Sequence, residues 1–229
     1  MVLTSYFKAF LNLLFPGLCD ACGDPLAGNE NRICTSCLAK LPFTHYWKSA
    51  DNPVSSLFWG RIGLENAASV LFFEKGSALQ HLIHNLKYKG KNEIGIVLGK
   101  ISGVKLQGTP YALADLIIPI PLHVSRQRKR GYNQSEMIAK GLSTILNIPL
   151  ENEAVIRCKA TRSQTAKTRY ERWLNVEGAF QVTRPEVLRG KHLLVVDDVV
   201  TTGATSEACM EELLRTPGVK VSYLAIASA

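Results

Sequence analysis

Apolar and polar positions along the chain alternate between two periods. Ala67 to Phe73 is a short apolar run read as a strand. Ala78 to Leu86 reads as a helix with Leu79, Leu82, Ile83 and Leu86 on its inward face. Asp115 to Ile120 is a buried-strand pattern closed by Pro119-Ile120-Pro121, and a helix is expected over Gln134 to Leu146. Short strands are expected near Val155, over Ala179 to Val182, over 192 to 197 and over Val219 to Ala227. Strands alternating with helices predict an α/β fold with a parallel sheet. Near the start, Phe7, Phe10, Leu11 and Leu14 fall on one helical face, a pattern suited to packing on the body of the protein. No run of eighteen apolar residues exists, so no transmembrane segment is expected, and the N-terminus lacks the pattern of a secretory signal.

The run Leu193-Leu-Val-Val-Asp197-Asp198-Val-Val-Thr201-Thr202-Gly203-Ala204-Thr205 holds the most chemistry. Apolar residues form a buried strand, two adjacent carboxylates sit where it ends, and a hydroxyl-rich loop opens a helix. Backbone N–H groups at a helix N-terminus bind anions. The bland alternative is a strand end whose acids are solvated or cap the next helix. The run resembles the phosphoribosyl-pyrophosphate (PRPP) motif of type I phosphoribosyltransferases. That resemblance implies that Thr201, Thr202, Gly203, Ala204 and Thr205 hold a ribose 5′-phosphate. It also implies that Asp197 and Asp198 act catalytically, facing the ribose 2′- and 3′-hydroxyls directly or with Mg²⁺ nearby.

Cysteine spacing adds a second site. Cys19 and Cys22 form one C-x-x-C and Cys34 and Cys37 another, with eleven residues between the pairs. Four thiolates so spaced can converge on one structural Zn²⁺ as a small ribbon, and disulfides are the competing reading. Cys158 and Cys209 lie apart in apolar contexts and read as ordinary buried residues. Residues 1–45 thus hold the amphipathic segment and the ribbon, residues 46–229 the α/β domain, with a linker around Pro42 to Pro53.

Charge sharpens the picture. The net +8 is concentrated between residues 123 and 175, which carry +7. One cluster is Arg126, Arg128, Lys129, Arg130, Gly131, Tyr132, Asn133 and Gln134, placed after a strand end where a second phosphate loop would sit. The other holds Arg162, Lys167, Arg169 and Arg172. Arginine grips phosphate oxygens bidentately, so both suit pyrophosphate or a nucleic-acid backbone, while a solvated face is the alternative. Tyr132, Trp173 and the other tryptophans are candidate stacking residues, and His123 is placed for site contact.

The ordered set of a Cys₄ unit, Pro-Ile-Pro-Leu-His, Arg126-x-x-x-Arg130-Gly-Tyr-Asn-Gln134, Arg162-x-Gln-Thr, Arg172-x-x-Asn175 and the Asp-Asp loop resembles the ComF family of competence-protein-F type proteins. The resemblance implies a type I phosphoribosyltransferase-like sheet flanked by helices, a cytoplasmic setting and a role in DNA uptake by natural transformation. It implies association with single-stranded DNA and a helicase-like competence partner, and places Arg126, Arg130, Gly131, Tyr132, Asn133 and Gln134 in the PRPP or phosphate site. Three functions stand together: a Mg²⁺-dependent phosphoribosyl transferase, a single-strand-binding module, and a scaffold that docks a partner through the metal unit.

Overall fold

The computed structural model describes residues 17–28, 30–159 and 178–229. The amphipathic segment around Phe7 and the basic residues Arg162, Lys167, Arg169 and Arg172, with Trp173, lie outside these residues.

Four strands form the central sheet: β1 (Asn66–Phe72), β2 (Leu116–Pro119), β5 (His192–Val200) and β6 (Lys220–Ser228), all parallel and in the order β1-β6-β5-β2. Alternating side chains on a strand point to opposite faces. Leu194 and Val196 of β5 therefore join Ala68, Val70, Ile117, Leu224 and Ile226 in one apolar layer. Leu193 and Val195 join Ala67, Leu116, Ile118, Tyr223 and Ala225 in the other. A parallel sheet buried on both faces reads as continuous apolar runs, which is why these strands were legible.

The first face is covered by α2 (Ala78–Tyr88), α3 (Glu93–Leu106) and α5 (Gln134–Leu146) and by the cysteine unit with its single-turn helix α1 (Thr35–Ala39). The second face is covered by α7 (Ala204–Leu214). Against α7 lie β3 (Val155–Arg157) and β4 (Phe180–Val182). These two strands pair antiparallel in a separate ribbon rather than extending the parallel sheet. Two further short helices lie among the described residues, α4 (Val124–Arg130) and α6 (Pro185–Leu188). No helix among the described residues is long and apolar enough to cross a membrane.

The structure departs from the sequence pattern at four places. Helix α3 has no predicted counterpart, because it is apolar on most sides and carries Gly95, Gly99 and Gly103. Those glycines let it press on α5: a Cβ at Gly99 would sit 2.1 Å from the Ile138 carbonyl oxygen, and one at Gly141 2.2 Å from that of Ile96. Helix α4 occupies the position where a second phosphate loop was expected. The expected linker is packed: it contains a 3₁₀ turn at Tyr46–Lys48, Trp47 is 5% exposed, and the Asn52 amide donates to the Ala67 carbonyl at 2.8 Å. Cys158 is exposed on the short ribbon, whereas Cys209 is buried as expected.

Topology places a crevice. The chain leaves β2 toward α5 on the first face and leaves β5 toward α7 on the second. Where successive exits diverge to opposite faces of an open parallel sheet, a cleft opens beyond the carboxyl ends of the strands. That cleft lies between the segment after β2 and the segment after β5.

Candidate functional site

Asp197 and Asp198 lie within β5, two residues before its end at Val200 rather than beyond it. Their carboxylates have different surroundings. Asp197 is partly buried: its Oδ1 accepts from the Asp198 backbone N–H (2.8 Å) and lies 3.4 Å from the Ser135 hydroxyl on the first turn of α5. Its Oδ2 accepts from the Ser206 hydroxyl of α7 at 3.0 Å. Ser206 Oγ is also 3.0 Å from the buried Tyr223 hydroxyl. With one proton per hydroxyl, Ser206 gives its proton to Asp197 and accepts from Tyr223. Burial, reinforced by the neighbouring Asp198 charge, pushes the Asp197 pKa up to about 6. Burial, with the Asp197 charge behind it, also holds the Tyr223 phenol well above its ordinary range.

Asp198 instead faces a cation. Lys87, on the last turn of α2, places its ammonium 2.8 Å from Asp198 Oδ2. Adjacent carboxylates thus sit in contrasting states, one pressed toward its neutral form and one paired. Divergent environments for paired acids are a mark of functional sites.

The loop that follows opens onto a helix N-terminus, a place where an anion can be held. Thr201 is exposed and Thr202 half-exposed, and Gly203 forms the N-cap of α7 with φ +75° and no side-chain cap. The first-turn N–H groups, including those of Ala204 and Thr205, have no partner within a helix. They carry the positive end of its dipole. Glycine is required for a second reason: a Cβ there would meet Phe58 Cε1 at 2.9 Å. Glu207, buried in that first turn, pairs with Arg61 at 2.7 Å, which offsets an acid that would otherwise repel an anion.

Across the crevice, the basic motif divides into exposed and internal members. Arg128 and Lys129 are exposed on α4, and Arg126 and Arg130 are half-exposed. Gly131 caps α4 with φ +83°. The Tyr132 hydroxyl donates to the Leu86 carbonyl at 2.5 Å. Asn133 caps α5 by accepting from Ser135 N–H and donates to the Ile120 carbonyl at 3.0 Å. Gln134 is 1% exposed and accepts from Arg130 at 2.7 Å. Tyr132, Asn133 and Gln134 thereby fix the approach of α2, β2 and α5 to one another. His123 caps α4, its Nδ1 2.8 Å from the Ser125 hydroxyl.

Sequence reasoning did not single out Ser135, Ser206, Tyr223 or the Arg61–Glu207 pair. Ser135, Tyr223 and Arg61 come from distant elements, so no linear spacing joins them to the Asp-Asp loop, whereas Ser206 and Glu207 directly follow Thr205. Arg157 is a further buried cation, 7% exposed, with its guanidinium 5.2 Å from the Phe180 ring. Burial is the main cause that lowers its pKa, followed by Arg126; Asp197 acts in the opposite sense.

The four cysteines converge. Their Sγ atoms lie within 4.8 Å of one another, and Cys22 and Cys34 are 3.8 Å apart. A tetrahedral site with bonds of about 2.3 Å has S···S edges of about 3.8 Å, so the set is positioned to hold a metal ion. Backbone N–H groups of Cys34 and Cys37 point at the sulfurs of Cys19 and Cys34. Burial opposes ionisation of Cys19, but backbone N–H donors from Cys22, Cys34 and Ala21 lower its pKa to about 7. The unit is fastened to α2: Asn85 donates to the Asp20 carbonyl at 2.8 Å, and His81 lies 3.2 Å from that of Ala21. Buried Asp20 pairs with Lys91 at 2.5 Å.

The family model described as the phosphoribosyl transferase domain matches residues 112–228. The chain is 32% identical to DNA utilization protein YhgH of Shigella flexneri over 223 residues, covering 89% of this chain and 93% of that protein. It is 39% identical to Competence protein F of Haemophilus influenzae over 110 residues, 47% of each chain. Among solved structures, a glutamine PRPP amidotransferase from B. subtilis aligns over 58% of this chain and 26% of that one, with 20% identity and a TM-score of 0.39. The carboxyl-end crevice, its acid pair, the family-model match and the sequence relatives lead to one assignment: this chain belongs to the phosphoribosyl transferase domain family, in the ComF group that includes YhgH and Competence protein F.

Proposed function

We propose that the crevice binds PRPP or a related ribose phosphate with Mg²⁺, and that the protein acts in DNA uptake or use. The observation that carries the ligand reading is the pair Asp197 and Asp198 beside an uncapped helix N-terminus, with Lys87 on the second acid. The α7 first turn with Thr201, Thr202 and Thr205 takes the 5′-phosphate. Arg126 and Arg130 face the pyrophosphate side, and Asp197 and Asp198 face the ribose hydroxyls. When bound, Mg²⁺ neutralises pyrophosphate charge as it departs. The chain's own carboxylates stabilise positive charge developing on the sugar. The metal held by Cys19, Cys22, Cys34 and Cys37 is Zn²⁺ in a structural role, a brace within residues 1–45 for the domain of residues 46–229.

Calorimetric titration with PRPP should give Mg²⁺-dependent binding that is lost in Asp197→Asn/Asp198→Asn. Pyrophosphate release across bases, nucleotides and DNA ends decides turnover; no release with any of them removes the transferase reading and leaves a binding protein. The DNA role is supported by the names of the relatives, DNA utilization protein and Competence protein F, and by the exposed Arg128 and Lys129. A cytoplasmic site of action and a helicase-like partner belong to that same reading.

A further inference from the structure

The DNA reading needs a surface on which bases can lie; of the aromatic residues named from the sequence, Trp47 is buried, Trp59 is exposed, Trp173 lies outside the described residues, and Tyr132 does not supply one. Tyr132 packs against the first apolar layer, with its hydroxyl committed to Leu86. The structure brings a different tyrosine to the surface. Tyr88, the last residue of α2, is 65% exposed. His84, one turn earlier, lies 5.1 Å away between ring centroids, and the Arg130 guanidinium approaches to 5.5 Å. An apolar ring left this open is not there for burial, and two partners that stack well on π-systems flank it.

The surroundings are cationic. Arg130 belongs to the last turn of α4, which also carries exposed Arg128 and Lys129, while exposed Lys89 follows Tyr88 directly. A favourable helix dipole accounts for cations in that turn. It does not account for an exposed ring docked against them. An aromatic platform within a basic strip is the combination by which proteins hold single-stranded nucleic acid, the ring taking a base and the cations the phosphates. Lys87, one residue before Tyr88, touches Asp198, so the strip runs up to the ribose-phosphate crevice.

We propose that Tyr88, flanked by His84 and Arg130 and framed by Lys89, Arg128 and Lys129, is a base-stacking site for single-stranded nucleic acid. This rests on the DNA reading above and gives it a location. The partner is single-stranded because a stacked duplex base offers no free face to the ring, whereas its phosphates still attract the cations.

The test compares fluorescence anisotropy of labelled oligothymidine and of a duplex of the same length, over one common series of salt concentrations. Tyr88→Ala should weaken single-strand binding about 5-fold or more while changing duplex binding less than about 2-fold. Tyr88→Phe should restore the single-strand affinity. Arg128→Ala/Lys129→Ala should weaken both ligands and flatten the salt dependence. Trp59→Ala, which removes another exposed aromatic, should change neither. Equal loss for strand and duplex in Tyr88→Ala, no loss in either, or loss in Trp59→Ala instead overturns the stacking site while leaving DNA binding in place. Absence of wild-type single-strand binding overturns the DNA reading and this site with it. PRPP titration of Tyr88→Ala, expected to match wild type, keeps the crevice reading separate.

Discussion

Asp197 gives a prediction in which stability and function pull in opposite directions. Its pKa in the folded protein is raised from 3.8 to about 6, chiefly by burial and then by the Asp198 charge. The folded state therefore favours the protonated acid. Below about pH 4 the group is neutral in both states and costs nothing. As pH rises toward about 6 the unfolded chain ionises it more readily, and stability is lost; above about 6 the loss is complete. The shift corresponds to about 3 kcal/mol. Asp197→Asn removes that cost but places an amide N–H₂ where an oxygen accepted from Ser206 or from Asp198 N–H, which returns about 1 kcal/mol. The variant should thus be more stable than wild type at pH 8 by about 1–2 kcal/mol, or about 2–8 °C in Tm. On acidification to about pH 4 the gap should close and reverse, leaving the variant about 1 kcal/mol less stable, because the neutral Asp197 then costs nothing while the amide still mismatches its donors. Paired denaturant melts across this range measure it, and the cysteine unit, common to both proteins, cancels in the difference. A gap that is independent of pH, or a variant less stable at pH 8, would refute the argument. On the proposed function, PRPP affinity of the wild type should fall as pH drops through about 6, because the carboxylate proposed to face the ribose is then protonated.

Two further outcomes are expected. Gly203→Ala forces a Cβ into Phe58 and a side-chain-bearing residue into positive φ, so the loop should shift; stability should fall by about 1–3 kcal/mol and PRPP affinity should drop with it, read by melts and calorimetry. Purified protein should contain about one metal ion per chain, and Cys34→Ser should lose it. Hydrogen exchange along α2 should then rise, because the Asp20 and Ala21 carbonyls that hold Asn85 and His81 belong to the first knuckle; unchanged protection there would contradict the bracing role.

Much of the scaffold was legible because its signals are local. The runs around Leu194, Ile117 and Leu224 are continuous since both faces of the sheet are covered, and α5 begins and ends where its pattern does, between Asn133 and Asn147. Helix α3 escaped detection for the converse reason. Its buried face carries Gly95, Gly99, Ser102 and Gly103 while apolar Val104 is exposed on the other, so hydropathy shows little period, and its glycines, poor helix formers in isolation, are chosen by contact with Ile138 and Ile145. Cys158, read as buried from its neighbours, is exposed because it follows β3, which pairs only with β4 and forms no part of the main sheet.

The sequence by itself determined the groups of this protein: an acid pair followed by a hydroxyl-rich loop, four thiols at metal spacing and a concentration of positive charge. It did so because each group is contiguous or fixed by short spacing. Only the tertiary structure decided what each carboxylate faces, with Asp198 against Lys87 and Asp197 against Ser206 and Ser135. It also decided which tyrosine turns inward and which to solvent. These are pairings across elements many residues apart, set by the order in which parallel strands pack and by the faces to which their helices return, and no linear spacing encodes them.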